Sequence, residues 1–166
     1  MEPSSLWRRA TRPFRRRRAA RVDRQILENE RRALLRLGTL AGNAPIKVLF
    51  DAISEELAHI IDIETGETFE DMAGVSRFDP DEMLTCISGY GPRPDWPSPI
   101  GSRWSLTDGD SANARVYRTG RPARMENGIP VSGKISGRLA DIGAFSSIAA
   151  PIFVDDKLWG SATIVS

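Results

Sequence analysis

The chain of 166 residues has one cysteine, Cys86, and one histidine, His59. A single cysteine excludes an internal disulfide and a thiolate-based metal site, and it fits a reducing compartment. A single histidine removes the paired imidazoles on which zinc and non-haem iron sites draw. It also leaves no second imidazole to activate one of the many serines, so no catalytic group is evident and enzymatic activity is not expected. No apolar run reaches the roughly 18–20 residues that a membrane-spanning helix needs. The arginine-rich start is followed by no apolar stretch of the secretory type, which points to a cytoplasmic protein. Gly101, Gly109 and Gly120 are isolated from one another and do not make a phosphate-cradling loop.

What the chain does have is charge, unevenly spread. Its net +1 conceals twelve arginines against four acids in residues 1–36, a local +8, and −7 over the remainder. Residues 1–19 are arginine-dense and interrupted by Pro3 and Pro13, a composition that reads as a disordered basic arm. Within it Arg15, Arg16, Arg17 and Arg18, joined by Arg8, Arg9, Arg12 and Arg21, are candidates to grip a polyanion through charge. Trp7 and Phe14 are placed to stack on bases or to enter a membrane surface. A nucleic-acid- or anionic-membrane-binding adaptor is therefore the alternative function for this chain.

From 20 to 42 the pattern turns helical, and Val22, Ile26, Ala33, Leu37 and Leu40 draw an apolar seam along one face. That seam suits pairing with a copy of itself. Residues 43–166 form the main domain. A second amphipathic helix runs from Pro45 to about Ile61, followed by a polar loop over 63–71. Short strands at 72–78 and 83–88 are joined across Asp79-Pro80-Asp81-Glu82, a turn-forming set. A long Pro/Gly loop spans 89–103. Asp110 is the expected N-cap of a helix that ends at Thr119, with Gly120 in the C′ position and Pro122 just beyond. Residues 123–126 make one strand, and a weaker helix covers 135–142.

The last twenty-one residues, SSIAAPIFVDDKLWGSATIVS, place two β-branched, apolar runs on either side of Asp155-Asp156, which predicts a β-hairpin. Ile148 to Val154 is almost continuously apolar, as for a strand covered on both faces. Hairpin-type neighbours make the sheet mainly antiparallel, and the class is α+β with helices covering the sheet.

Two segments also resemble a known family. IGSRWSLTDGDSANARVYRTGRPARM (Ile100 to Met125) and SSIAAPIFVDDKLWG (Ser146 to Gly160) are similar to GAF domains of bacterial sensor histidine kinases. The likeness extends upstream through Ala73 to Phe78 and the helices of residues 33–61, and residues 63–71 look like an insertion. The resemblance implies a GAF-like central antiparallel sheet flanked by helices, serving as a sensory, ligand-binding or dimerising module of a two-component-type signalling protein. In the family such a domain feeds a kinase module, but no phospho-accepting histidine box and no Asn- and Gly-rich ATP-binding segments are read in this sequence, and the expectation is a domain that lacks its final helix.

The same fold implies a small-molecule pocket. Candidate lining residues are Trp104, Leu106, Arg115, Tyr117, Arg121 and Phe145, with Trp96 and Ile142 nearby and the two arginines available to an anionic group. The same aromatics serve equally well as core filling. No cofactor is expected. His59 does not stand where a haem ligand of the family stands. Cys86 has no adjacent histidine of the kind that accompanies bilin attachment and reads as a small buried hydrophobe. Phe78 to Glu82 matches the cyclic-nucleotide signature poorly and is explained by turn chemistry. The expected partners are a possible small-molecule ligand, a second copy met through residues 20–42, and a polyanion met through residues 8–21.

Overall fold

The structure, a computed structural model, describes residues 12–65, 72–91, 99–126, 133, 134, 137 and 146–165; in the first two helices side chains are described from Arg24 to His59. Helix α1 spans Arg12–Asn43 and α2 Ile46–Thr65. Strands β1 (Met72–Phe78), β2 (Met83–Tyr90) and β3 (Arg103–Ser105) follow, then helix α3 (Ala112–Thr119), β4 (Ala123–Glu126), β5 (Ser146–Val154) and β6 (Lys157–Val165). The six strands form one sheet in the order β3-β2-β1-β6-β5-β4, and every neighbouring pair is antiparallel. The α+β class and the antiparallel sheet agree with the sequence reading. The expected helix over 135–142 lies mostly outside the described residues.

Several boundaries differ from expectation, each for a physical reason. Helix α1 starts at Arg12 rather than Ala20. Pro13 falls in its first turn, where a missing N–H costs nothing, and no proline or glycine follows before Gly38. The N-cap of α3 is Ser111 rather than Asp110: its extended backbone lets the side chain accept from Ala114 N at 3.1 Å. Gly120 ends the helix as expected, with φ 62° and its N–H on Val116 O. Strand β3 begins at Arg103, the last residue of the expected loop, and its three residues pair with Met83, Leu84 and Thr85.

Helices α2 and α3 lie on opposite faces of the sheet. Helix α2 packs on β1 and β2 and reaches β6, whereas α3 packs on β4, β5 and β6. On the α2 side, Phe50 stacks on Trp159 with ring centroids 5.2 Å apart. The buried hydroxyls of Ser54 and Ser88 meet at 2.7 Å, and Ser88 also donates to Phe50 O. Helix α1 packs on α2, burying Ala33 and partly burying Ile26, Leu37 and Leu40. The seam expected to meet a second copy therefore lies against the chain's own second helix. Arg36 closes the contact with bonds to Glu55 (2.6 Å) and Glu56 (2.7 Å).

The terminal hairpin is present, with a two-residue turn in which Asp155 and Asp156 both have positive φ. Aspartate tolerates that conformation, which gives the twist favoured in tight hairpins. Coverage of β5 on both faces is not observed. Ile148 is 40 % exposed, Phe153 53 % and Val154 49 %. Helix α2 sits over β1 and β2, so the face of β5 that carries Ile148 and Val154 lies beyond its reach, while Phe153 is on the α3 side, where it pairs with Leu158.

Candidate functional site

The strand register defines the surface beneath α3. Paired residues of antiparallel strands share a face, so Cys86, Ser76, Ser161 and Pro151 form one row across four strands. Gly74, Thr163 and Ala149 form the next. Leu84 and Trp104 line up with Phe78. Ala149 packs with Ala112 and Val116 of α3, which fixes this as the α3 side, and Phe78, Ala123, Met125 and Leu158 pack around that cluster.

A bulge in β2 decides which side Cys86 faces. Consecutive residues Val75 and Ser76 pair with Ser88 and Cys86, leaving Ile87 without a partner in the ladder. Ser88 therefore faces α2, where Ser54 meets it, and Cys86 faces the α3 side. Its side chain is 2 % exposed and its thiol lies 3.8 Å from Ser88 O.

The middle of this floor is made of small residues, Gly74, Ser76, Cys86 and Ser161. Larger groups stand at its margins. Tyr117 of α3 meets Phe78 edge to face, with centroids 5.3 Å apart and planes at 77°. Trp104 donates its indole N–H to Ser102 Oγ at 3.0 Å. Leu106, 1 % exposed, is held just past β3 by its N–H on Glu82 O.

Over the floor sits Asn113, a residue that sequence reasoning missed. Its Oδ1 accepts from Ser161 Oγ at 2.8 Å and from Thr163 Oγ1 at 2.6 Å. Its amide N–H₂ has no partner among the described residues. Two hydroxyls thus orient the amide as a donor. Only the register, which brings residues 48 and 50 positions away onto this side chain, reveals the arrangement.

The arginines do not converge with these groups. On an eight-residue helix Ala112, Asn113, Val116 and Tyr117 occupy one side, with Ala112 and Val116 buried and Asn113 and Tyr117 half-buried, and Arg115 and Arg118 fall on the other. Asp110 holds both, accepting from Arg115 Nη2 and Arg118 Nη2 at 2.7 Å each. Hydrogen bonds, first from Arg115 and then from Arg118, hold the Asp110 carboxyl below the usual carboxylate range. The same contact raises the Arg115 guanidinium, which also reaches Arg124 O at 3.4 Å. Arg115 is therefore already paired with a carboxylate. Arg121 is exposed beyond Gly120 and has no carboxylate partner among the described residues.

Of the expected lining residues, Tyr117 stands beside Asn113 on α3 and Trp104 lies at the far end of the same face. Phe145, Trp96 and Ile142 lie outside the described residues. Arg15, Arg16, Arg17 and Arg18 fall within α1, outside the part whose side chains are described. His59 is on α2, across the sheet, with its ring against Tyr90 at 5.6 Å. Asp79 is the hub of the β1–β2 turn, accepting from Thr85, Arg77 and Arg103.

Comparison with known proteins now bears on the site. The family model for the GAF domain matches residues 45–166. The structure is similar to the phycocyanobilin-bound GAF domain of a cyanobacterial phytochrome, at 18 % identity and a TM-score of 0.61 over 84 % of this chain and 79 % of that one. It is similarly related to the phycoerythrobilin-bound GAF domain of a cyanobacterial phytochrome, at 18 % identity and TM-score 0.61, covering 82 % and 81 % of the two chains. A third is the GAF domain of an Acinetobacter phosphoenolpyruvate-protein phosphotransferase, at 14 % identity and TM-score 0.60, covering 86 % and 77 %. No curated protein matches the chain. At these identities the likeness to solved structures is one of fold.

These structures overturn the expectation that no cofactor is involved. That expectation set bilin aside because Cys86 has no neighbouring histidine, an argument about covalent attachment alone. Two of the GAF domains that share this fold were solved with a bilin bound. The residues present fit a ligand held without a covalent bond: the floor is small and Asn113 offers a donor. Cys86 faces the right side but is buried, with its thiol against Ser88 O, and does not fit as an attachment point. With the family model matching most of its length, the chain belongs to the GAF domain family.

Proposed function

We propose that this chain is a non-catalytic sensory module that binds a flat, largely apolar small molecule on the α3 side of its sheet, and that a bilin is the first class to test. The observation that carries the reading is the floor of Gly74, Ser76, Cys86 and Ser161 beneath the oriented amide of Asn113. Small side chains leave room above the sheet, Phe78 and Tyr117 offer an aromatic margin, and one convergent donor gives orientation. Arg121 is the cation available to an anionic substituent. The GAF domains solved with phycocyanobilin and phycoerythrobilin support the choice of ligand class.

The module works as an input in this reading. Strands β1 and β6 carry the ligand side on one face and Val75 and Ala162 on the other, where α2 packs. A displacement of these strands moves the Ser54–Ser88 contact and, through Arg36, moves α1. Helix α1 is then the output, through self-association and contact with a two-component-type signalling partner in the cytoplasm. No described helix is long and apolar enough to cross a membrane.

The test is a thermal melt with and without phycocyanobilin. The natural chain is expected to melt higher with the bilin present. Tyr117→Ala is expected to remove that increase while the apo protein still melts cooperatively. An unchanged ligand-dependent increase would exclude Tyr117 from the site.

A further inference from the structure

The floor beneath Asn113 holds a second open polar group. Ser76 lies in the row of Cys86, Ser76, Ser161 and Pro151, on the α3 side of the sheet. It is 8 % exposed, and its hydroxyl has no partner among the described residues. A buried hydroxyl without a partner is costly, so a ligand group that pairs with it is favoured. Ser161, its neighbour in that row, is one of the two hydroxyls that hold Asn113. Paired residues of adjacent strands lie about 5 Å apart, so the Ser76 hydroxyl and the Asn113 amide are close enough to serve one small group.

The polarity of the amide is fixed by its contacts. At 2.6 Å the bond from Thr163 has an O–H···O length, below the range of N–H···O bonds. With both hydroxyls on Oδ1, Nδ2 is left as the donor. Ala112, Ala114 and Val116 are buried whereas Asn113 is half-buried, so the amide keeps an open side. Helix α3 packs on β4, β5 and β6, and the space beside it lies over Gly74, Ser76 and Cys86 of β1 and β2. Among the described residues this floor carries no charge, and Arg115 and Arg118 are held by Asp110 on the outer side of α3. A charged group placed here is desolvated without a partner.

We propose that the group recognised here is a neutral lactam at the edge of a flat ring system. Its carbonyl accepts from Asn113 Nδ2, and its adjacent N–H donates to Ser76 Oγ. This recognition rests on the ligand-binding reading above and adds the chemistry of the group that is held. Ser161 and Thr163 are positioning residues, because they decide which end of the amide faces the ligand. An amine at this position sets donor against donor, and a carboxylate brings a charge with no partner.

The test uses carbostyril, a flat bicyclic lactam, and its amino analogue, in which an amino group replaces the carbonyl oxygen. Each is titrated into the full chain and followed by protein NMR, which reads the millimolar affinities of fragments this small. The natural chain is expected to bind carbostyril about tenfold more tightly than the amino analogue. Asn113→Asp keeps an acceptor for Ser161 and Thr163 and turns a second acceptor to the ligand, so it should reverse that order. Ser161→Ala with Thr163→Val frees the amide to turn over and should make the two affinities nearly equal. Ser76→Ala should weaken carbostyril but not N-methylcarbostyril, which lacks the N–H. Equal affinities in the natural chain, or an order that Asn113→Asp leaves unchanged, would overturn the donor assignment. A preference that survives the loss of both hydroxyls would remove Ser161 and Thr163 as positioning residues, and undiminished carbostyril binding in Ser76→Ala would remove Ser76. If phycocyanobilin raises the melting temperature and neither fragment binds, lactam recognition is overturned and the ligand reading stands. If none of the three binds, the ligand reading falls with it.

Discussion

Replacing Asn113 by alanine removes the acceptor for two hydroxyls at once, and the structure sets the size of the effect. Ser161 is fully buried, and Thr163 is partly so. A buried donor left without a partner costs about 1–3 kcal/mol. Thr163 recovers part of this through water, which puts it near the lower end of that range. Alanine is the better helix former and returns about 0.5 kcal/mol. The net loss is about 2–3 kcal/mol, a large fraction of the stability of an ordinary domain. In urea unfolding, with a slope typical of small proteins, that loss lowers the midpoint by about 1–2 M. Adding Ser161→Ala and Thr163→Ala to the alanine variant removes the stranded donors, so the triple variant should be more stable than Asn113→Ala alone. A loss within about 0.5 kcal/mol of zero, the range of ordinary surface substitutions, would refute the reasoning, because Asn113 would then not be the partner of those hydroxyls.

Two further predictions follow from the fold. A Cβ on Gly160 meets Ser76 O at 2.1 Å and Arg77 Cα at 3.1 Å, both of the adjacent central strand, which cannot rotate away. Gly160→Ala should therefore cost about 3 kcal/mol or more, and a melting temperature equal to that of the natural chain would contradict it. The second concerns Asp110, whose carboxyl is held low by Arg115 and Arg118. A lowered folded-state value means stability present above the unfolded pKa of about 4 and lost as pH falls through the folded value. With side-chain exposures of 33 %, 35 % and 49 % across the three residues, screening limits the contribution to about 1 kcal/mol. Asp110→Asn should be less stable than the natural chain by that amount at pH 7, with the gap closing below pH 4. A gap that stays constant with pH would mean that charge plays no part.

Much of the fold was legible because its signals are local. The apolar runs on either side of Asp155-Asp156 gave a hairpin, since two residues that tolerate positive φ leave few other ways to join two strands. Asp110, Gly120 and Pro122 bounded α3 in the sequence, with the observed N-cap, Ser111, one residue beyond the expected one. The resemblance carried by residues 100–125 and 146–160 then supplied the family. What escaped depends on contacts between distant residues. Strand β3 has only three residues and no alternation to reveal it. The bulge at Ile87 turns Cys86 from one side of the sheet to the other, and nothing in the pattern of β2 marks it. Arg115 was a candidate for an anionic ligand until Asp110, five residues earlier on the helix-approach segment, proved to hold it. Asn113 acquires its importance from Ser161 and Thr163, which only the β1–β6 pairing brings beneath α3. The seam on α1 was read correctly as apolar, but its partner was α2 of the same chain.

The central claim is that the α3 side of the sheet receives a small molecule, and a titration of the full chain with phycocyanobilin followed by visible absorbance tests it most directly. The account predicts a saturable spectral change at one bilin per chain, released on denaturation because no covalent bond forms at Cys86, and weakened at least tenfold in Asn113→Ala. Absence of any saturable change at concentrations up to about 100 μM, equivalent to binding weaker than about 5.5 kcal/mol, would contradict it.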